Sequence, residues 1–100
     1  MSFAARNSKA LRARSRVEAV RTTLALANMQ LAKLDYHHPL YARRVWEFDQ
    51  VMIELTAGKW FATRAMQAGP KADWRNAVAQ LEQANTDAER LHAALLSAST

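Results

Sequence analysis

The stretch ALRARSRVEAVRTTLALANMQLAKL, residues 10–34, places Ala10, Ala13, Val17, Val20, Leu24, Ala27, Leu31 and Leu34 at alternating steps of three and four. Such steps keep all of these side chains on one stripe of an α-helix. Their mean interval, about 3.5 residues, is that of a left-handed helical seam. Ser8, just ahead of the stripe, is a candidate N-cap, because its hydroxyl can accept from an orphan amide of the first turn. One long helix over about residues 8–35 is therefore expected. Leu26 and Met29 lie three apart and off the stripe. They form a second, smaller apolar patch suited to a subunit contact.

Two interruptions divide the rest of the chain. At Asp35-Tyr36-His37-His38-Pro39, His38 is steered away from helical geometry by the following proline, while Pro39 suits the first turn of a new helix. A second helix is expected over about 40–68. Tyr41, Val45, Phe48, Met52 and Leu55 form one stripe of it, continued more weakly by Lys59, Ala62 and Met66; Trp46, Ile53 and Trp60, each seven apart, form another. A helix apolar on two sides is expected to lie centrally, against both neighbours or against another copy of itself. Trp46 and Trp60 are accordingly read first as core residues and second as contact residues. Gly58 costs about 1 kcal/mol relative to alanine inside a helix. A continuous helix is favoured there, and a break that would give four helices is the alternative.

Gly69-Pro70 is the clearest stop, joining a residue that tolerates left-handed geometry to one that cannot continue the ladder. The third stripe is Trp74, Ala77, Leu81, Ala84, Ala88, Leu91 and Leu95, on a helix over about 71–97 capped by Asp73 or Gly69. Three long helices with short links imply antiparallel neighbours. The fold expected is all-α, a slender antiparallel three-helix bundle forming a single domain over residues 1–100. Alanine fills many seam positions, so each contact buries little area. Self-association or a protein partner is expected to supply the remainder.

Composition agrees and excludes several classes. Half of the 100 residues are hydrophobic, yet there are only 2 Gly, 2 Pro and no Cys. An all-β fold would need more turn residues. Disulfide staples, thiolate zinc sites and a cysteine nucleophile are excluded. No apolar run approaches the roughly 18 residues of a membrane span, so membrane binding is not expected and a cytoplasmic location is.

The net charge of +5 is unevenly placed. Residues 1–21 hold Arg6, Lys9, Arg12, Arg14, Arg16 and Arg21 against Glu18 alone, and the other 79 residues balance 8 basic with 8 acidic side chains. The excess is a basic N-terminal arm merging into the first helix. Such a block gains free energy beside an anionic surface. The first 17 residues, rich in Arg, Ala and Ser and free of acid, also have the composition of a mitochondrial presequence. The helical stripe running into them favours a structural role instead.

Reactive groups are sparse. Asp35, His37 and His38 are a conceivable ligand cluster, read more simply as the polar end of a loop. Glu89-x-x-His92 has the spacing used by carboxylate-bridged di-metal bundles, but it occurs once. Glu47, Glu54 and Glu82 would have to converge on it. No G-x-G-x-x-G, G-x-x-x-x-G-K-[ST] or H-E-x-x-H is present. The chain is read as a non-enzyme without metal or cofactor. The expected function is a helical interaction or assembly protein, of a kind suited to a phage or plasmid accessory factor or a small complex subunit. Arg6, Lys9, Arg12, Arg14, Arg16 and Arg21 would dock on an acidic partner, with Leu26, Met29, Trp46, Ile53 and Trp60 as apolar contacts. The alternative is sequence-independent nucleic-acid binding by the same arm on phosphates.

Overall fold

A computed structural model describes the backbone of residues 3–98 and side chains from Ser8 onward. Three helices account for it: α1 (Phe3–Lys33), α2 (Tyr41–Ala68) and α3 (Arg75–Ala98). The chain is an all-α three-helix bundle measuring 53 × 18 × 15 Å. Ala13 and Val17 of α1 meet the same core as Trp74 and Ala77, and Ala27 joins Leu91 and Leu95. So α1 and α3 run parallel, and α2 runs against both.

The breaks fall where the residues dictate, with local differences. Pro39 and Leu40 precede α2 rather than opening it, and the His38 carbonyl accepts the Tyr41 amide at 3.0 Å. Gly69 adopts φ 73°, ψ −142° and donates its amide to the Met66 carbonyl. That conformation is nearly exclusive to glycine. A single 3₁₀ turn over Gly69–Lys71 follows. Asp73 then caps α3, its Oδ1 accepting the Arg75 amide at 3.0 Å while its carboxylate also binds the Arg75 guanidinium. Ser8 is not a cap: it lies inside α1, which begins at Phe3.

The helix expected to be central is not. It is α3 that packs along both others, whereas α1 and α2 touch over a shorter length. The reason is the regularity of α3, where Ala77, Leu81, Ala84, Ala88, Leu91 and Leu95 are all buried on one narrow stripe. In α2 the buried residues are Val51, Leu55, Gly58 and Ala65, with Phe48 and Ala62 packed beside them. That stripe is turned about one residue from the Tyr41–Val45–Phe48–Met52–Leu55 series, and Met52 is exposed. Alanine supplies 6 of the 14 buried hydrophobic residues. The core is correspondingly thin, and bulky groups close it at Trp74, the leucines and the partly buried Phe48 and Phe61.

Gly58 does not break α2. A Cβ built on it would lie 2.5 Å from Leu81 Cδ2 and 2.8 Å from Leu81 Cγ, and Leu81 is fully buried. The glycine is a notch that lets α3 close on α2. Gly58→Ala would gain about 1 kcal/mol in helix propensity but incur an overpacking cost of roughly 1–3 kcal/mol. A net loss of up to about 2 kcal/mol is expected by urea denaturation. Combining it with Leu81→Val should cost less than the sum of the two single changes. A stabilised Gly58→Ala variant would show that Leu81 turns aside without cost.

Candidate interaction surfaces

The basic residues of α1 divide into two sets. Arg16 reaches across to α3, its Nε 2.6 Å from Glu82 Oε1. Arg21 pairs with Glu18 one turn back at 3.3 Å. Arg12 and Arg14 are exposed, and neither has a carboxylate partner among the described residues. Lys9 is half-buried and contributes to holding the Asp73 carboxyl charged. The side chain of Arg6 lies outside the described residues. The expected arm is thus part of a helix rather than a separate tail. Two of its charges serve contacts within the protein.

Between α1 and α2, where the helices diverge, runs a groove of about 650 Å³. Leu11, Val17, Met66 and Trp74 contribute its apolar lining, and Arg14, Arg21 and Lys59, with Glu18 against Arg21, its charge. Arg21 and Lys59 also border its continuation beside Leu24, Ala25, Met52 and Leu55. The groove follows from the thin core. With α3 wedged against both helices, their outer edges stay apart.

Trp46 and Trp60 are not core residues. They are 61% and 56% exposed, with Ile53 between them at 60%. A core lined so largely by alanine has no space for two more indoles. Leu26 and Met29 are likewise exposed, on the side of α1 away from its buried stripe. The structure does not bring them to the α2 triplet, since each group faces outward from its own helix. Trp74 is buried, as its place in the third stripe implies, though its Nε1 finds no acceptor.

A pair of carboxyls spans α2 and α3 unannounced by any motif. Glu54 faces Asp87, with Glu47 and Arg90 at the edge of the same depression. Gln83 Nε2 donates to both Asp87 oxygens, at 3.1 and 3.0 Å, and Arg90 lies 3.9 Å away. Glu54 Oε2 is buried without a donor. Burial first, then hydrogen bonding to Asp87 and its negative charge, push the Glu54 carboxyl up to about 7. Protonated, Glu54 can donate to Asp87 and both groups are satisfied.

The residues weighed for catalysis are engaged separately. Asp35 Oδ1 accepts the His37 amide at 2.9 Å, and His38 Nδ1 accepts the Leu40 amide at 3.1 Å, so both side chains shape the turn. Glu82 is held by Arg16, Glu47 by Arg43 and Arg44, and Glu89 by Asn85. Among the described residues no three His, Asp or Glu side chains stand together as metal ligands. No helix there is long and apolar enough to cross a membrane.

The Glu54 pair sets a pH dependence. Folded Glu54 titrates near 7, unfolded Glu near 4.3. Between those values the folded state binds the additional proton, so stability falls as pH rises from about 4.5 to about 7 and levels off above. Asp73, lowered to about 2 by its bonds to Arg75, acts in a separate, more acidic window with the opposite slope. Glu54→Gln, which keeps a donor toward Asp87, should raise the melting temperature at pH 8 and flatten this fall. A wild-type profile unaltered by the substitution would remove the pair from the account.

Compared with known protein families, curated proteins and solved structures, the chain matches none.

Proposed function

We propose that this protein is a non-catalytic helical interaction module that docks an acidic partner segment along the first half of α1. The observation that carries the reading is the coincidence of charge and groove. Arg14, Arg21 and Lys59, against Glu18 alone, rim a depression lined by Leu11, Val17 and Met66. Arg12, on the other flank of α1, stands exposed at the depression toward α3 instead. An acidic segment with apolar residues on one side complements both features. The positive charges would steer its approach and the apolar lining would retain it. Arg16 is committed to Glu82, so it belongs to the scaffold more than to the docking face. That pair is half-exposed on both sides and contributes at most about 1 kcal/mol.

Rigid placement on a helix separates this reading from phosphate binding. A nucleic acid would draw on the same cations, but no aromatic residue is interleaved with Arg12, Arg14 and Arg16 to stack on bases. The test is fluorescence anisotropy with a labelled poly-glutamate peptide and a labelled random-sequence duplex, each across a salt series. The peptide should bind, and Arg14→Glu with Lys59→Glu should weaken it by at least about tenfold while circular dichroism shows unchanged helicity. Peptide binding that survives the double reversal would overturn the proposal. Tighter binding of the duplex, with a salt slope of about three or more released counterions, would replace it with the nucleic-acid reading.

A further inference from the structure

Both walls of the α1–α2 groove are built on the same repeat. The exposed residues that border it on α1 are Leu11, Arg14, Glu18, Arg21, Ala25 and Asn28, at alternating steps of three and four. On α2 they are Met52, Thr56, Lys59, Thr63 and Met66, again at alternating fours and threes. Val17, Leu24, Leu55 and Ala62 form the floor behind them. Arg21 and Lys59 border both halves of the groove and so lie level with each other. One repeat to either side, Arg14 lies toward Met66, and Asn28 toward Met52.

That spacing selects the shape of what fits there. A mean step of about 3.5 residues keeps a stripe running along a helical seam, where the side chains of another helix interlock with it. An extended segment would gain nothing from the repeat, and its backbone amides and carbonyls would find only side chains opposite. The groove's own polar groups are compatible with cover. Thr56 and Thr63 donate their hydroxyls to the Met52 and Lys59 carbonyls, at 2.9 and 3.0 Å. Met52 and Met66 are flexible enough to fit an irregular apolar surface. Charge selects the chemistry. Glu18 is the one acid on these walls and already faces Arg21, whereas Arg14 and Lys59 have no carboxylate partner among the described residues.

We infer that the occupant of this groove is an acidic amphipathic α-helix of another protein, which lies along α1 and α2 and makes the bundle four-helical. The inference rests on the docking reading above and adds the conformation and pattern of the partner. The stripes on α1 and α2 are about 26 and 21 Å long at 1.5 Å per residue, so the helix has about 14–18 residues. Its apolar stripe steps by three and four to meet Leu11, Met66 and Met52 over the buried floor. Its acids stand seven residues apart, one facing Arg14 and one facing Lys59.

The test compares two labelled 18-residue peptides of identical Leu, Ala and Glu composition by fluorescence anisotropy with the full chain. One carries Leu at alternating steps of three and four with Glu seven apart beside it; the other has the same residues scrambled so that no stripe forms. The striped peptide should bind at least about tenfold more tightly. Leu11→Ser with Met66→Ser, both at exposed positions, should abolish that preference and leave poly-glutamate binding unchanged. Equal binding of the two peptides overturns the inference while the docking reading stands. A preference that survives the double substitution also overturns it, because the helix would then lie elsewhere. So does a chain that dimerises through Leu11 and Met66, since a second copy would then fill the groove. Failure of poly-glutamate and both peptides alike removes the docking reading, and this inference with it.

Discussion

Everything else in the molecule depends on how closely α3 approaches its two neighbours. Ala77, Ala84 and Ala88 keep its inner surface low, and Leu81 enters the space that Gly58 leaves on α2. Small residues shorten the distance between helix axes, and a short distance leaves a narrow interior. Two outward features follow from that narrowness. The edges of α1 and α2 cannot meet over their full length, which leaves the groove beside Arg14 and Lys59. The larger aromatic residues of α2 cannot be housed, which leaves Trp46 and Trp60 in water. The surfaces are thus a consequence of the core rather than an addition to it.

The parts that could be read from the sequence are those decided within one helix. The α3 stripe from Trp74 to Leu95 is buried residue for residue. The stops at Pro39 and Gly69 stand, and of the two expected cap candidates, Asp73 and Gly69, it is Asp73 that caps α3. What could not be read depends on distances between helices. Periodicity shows that α2 has two apolar sides without saying which faces inward, and size favoured the wrong one. Volume decides the matter, because Val51, Gly58 and Ala65 fit where tryptophan does not. Gly58 illustrates the same point, since its helix-breaking tendency is local but its neighbour Leu81 is not. Glu54 and Asp87 are 33 positions apart, so no spacing rule joins them. Ser8 has the chemistry of a cap, but α1 extends past it to Phe3.

The charge of α1 shows a similar division. By composition, residues 1–21 form one cationic block. In the fold, Arg16 and Arg21 turn to Glu82 and Glu18, while Arg12 and Arg14 stay exposed without a carboxylate partner among the described residues. Exposed pairs of this sort add little stability; the rotation of α1 is set by its buried stripe of Ala13, Val20, Leu24 and Ala27, which places Arg14 at the groove and turns Arg12 to the α3 side.

The three tryptophans occupy two kinds of environment, and this gives the protein distinct optical reporters. Trp74 is closed in beside Ala13, Val17 and Ala77, where α1 and α3 begin their contact. Its emission should be blue-shifted and shielded from soluble quenchers, whereas that of Trp46 and Trp60 should not. Lifting the first half of α1 away would bring Trp74 into water while leaving the other two nearly as they were. Quencher-resolved emission thus distinguishes loosening at the basic end from changes at the outward side of α2, without a label on the chain.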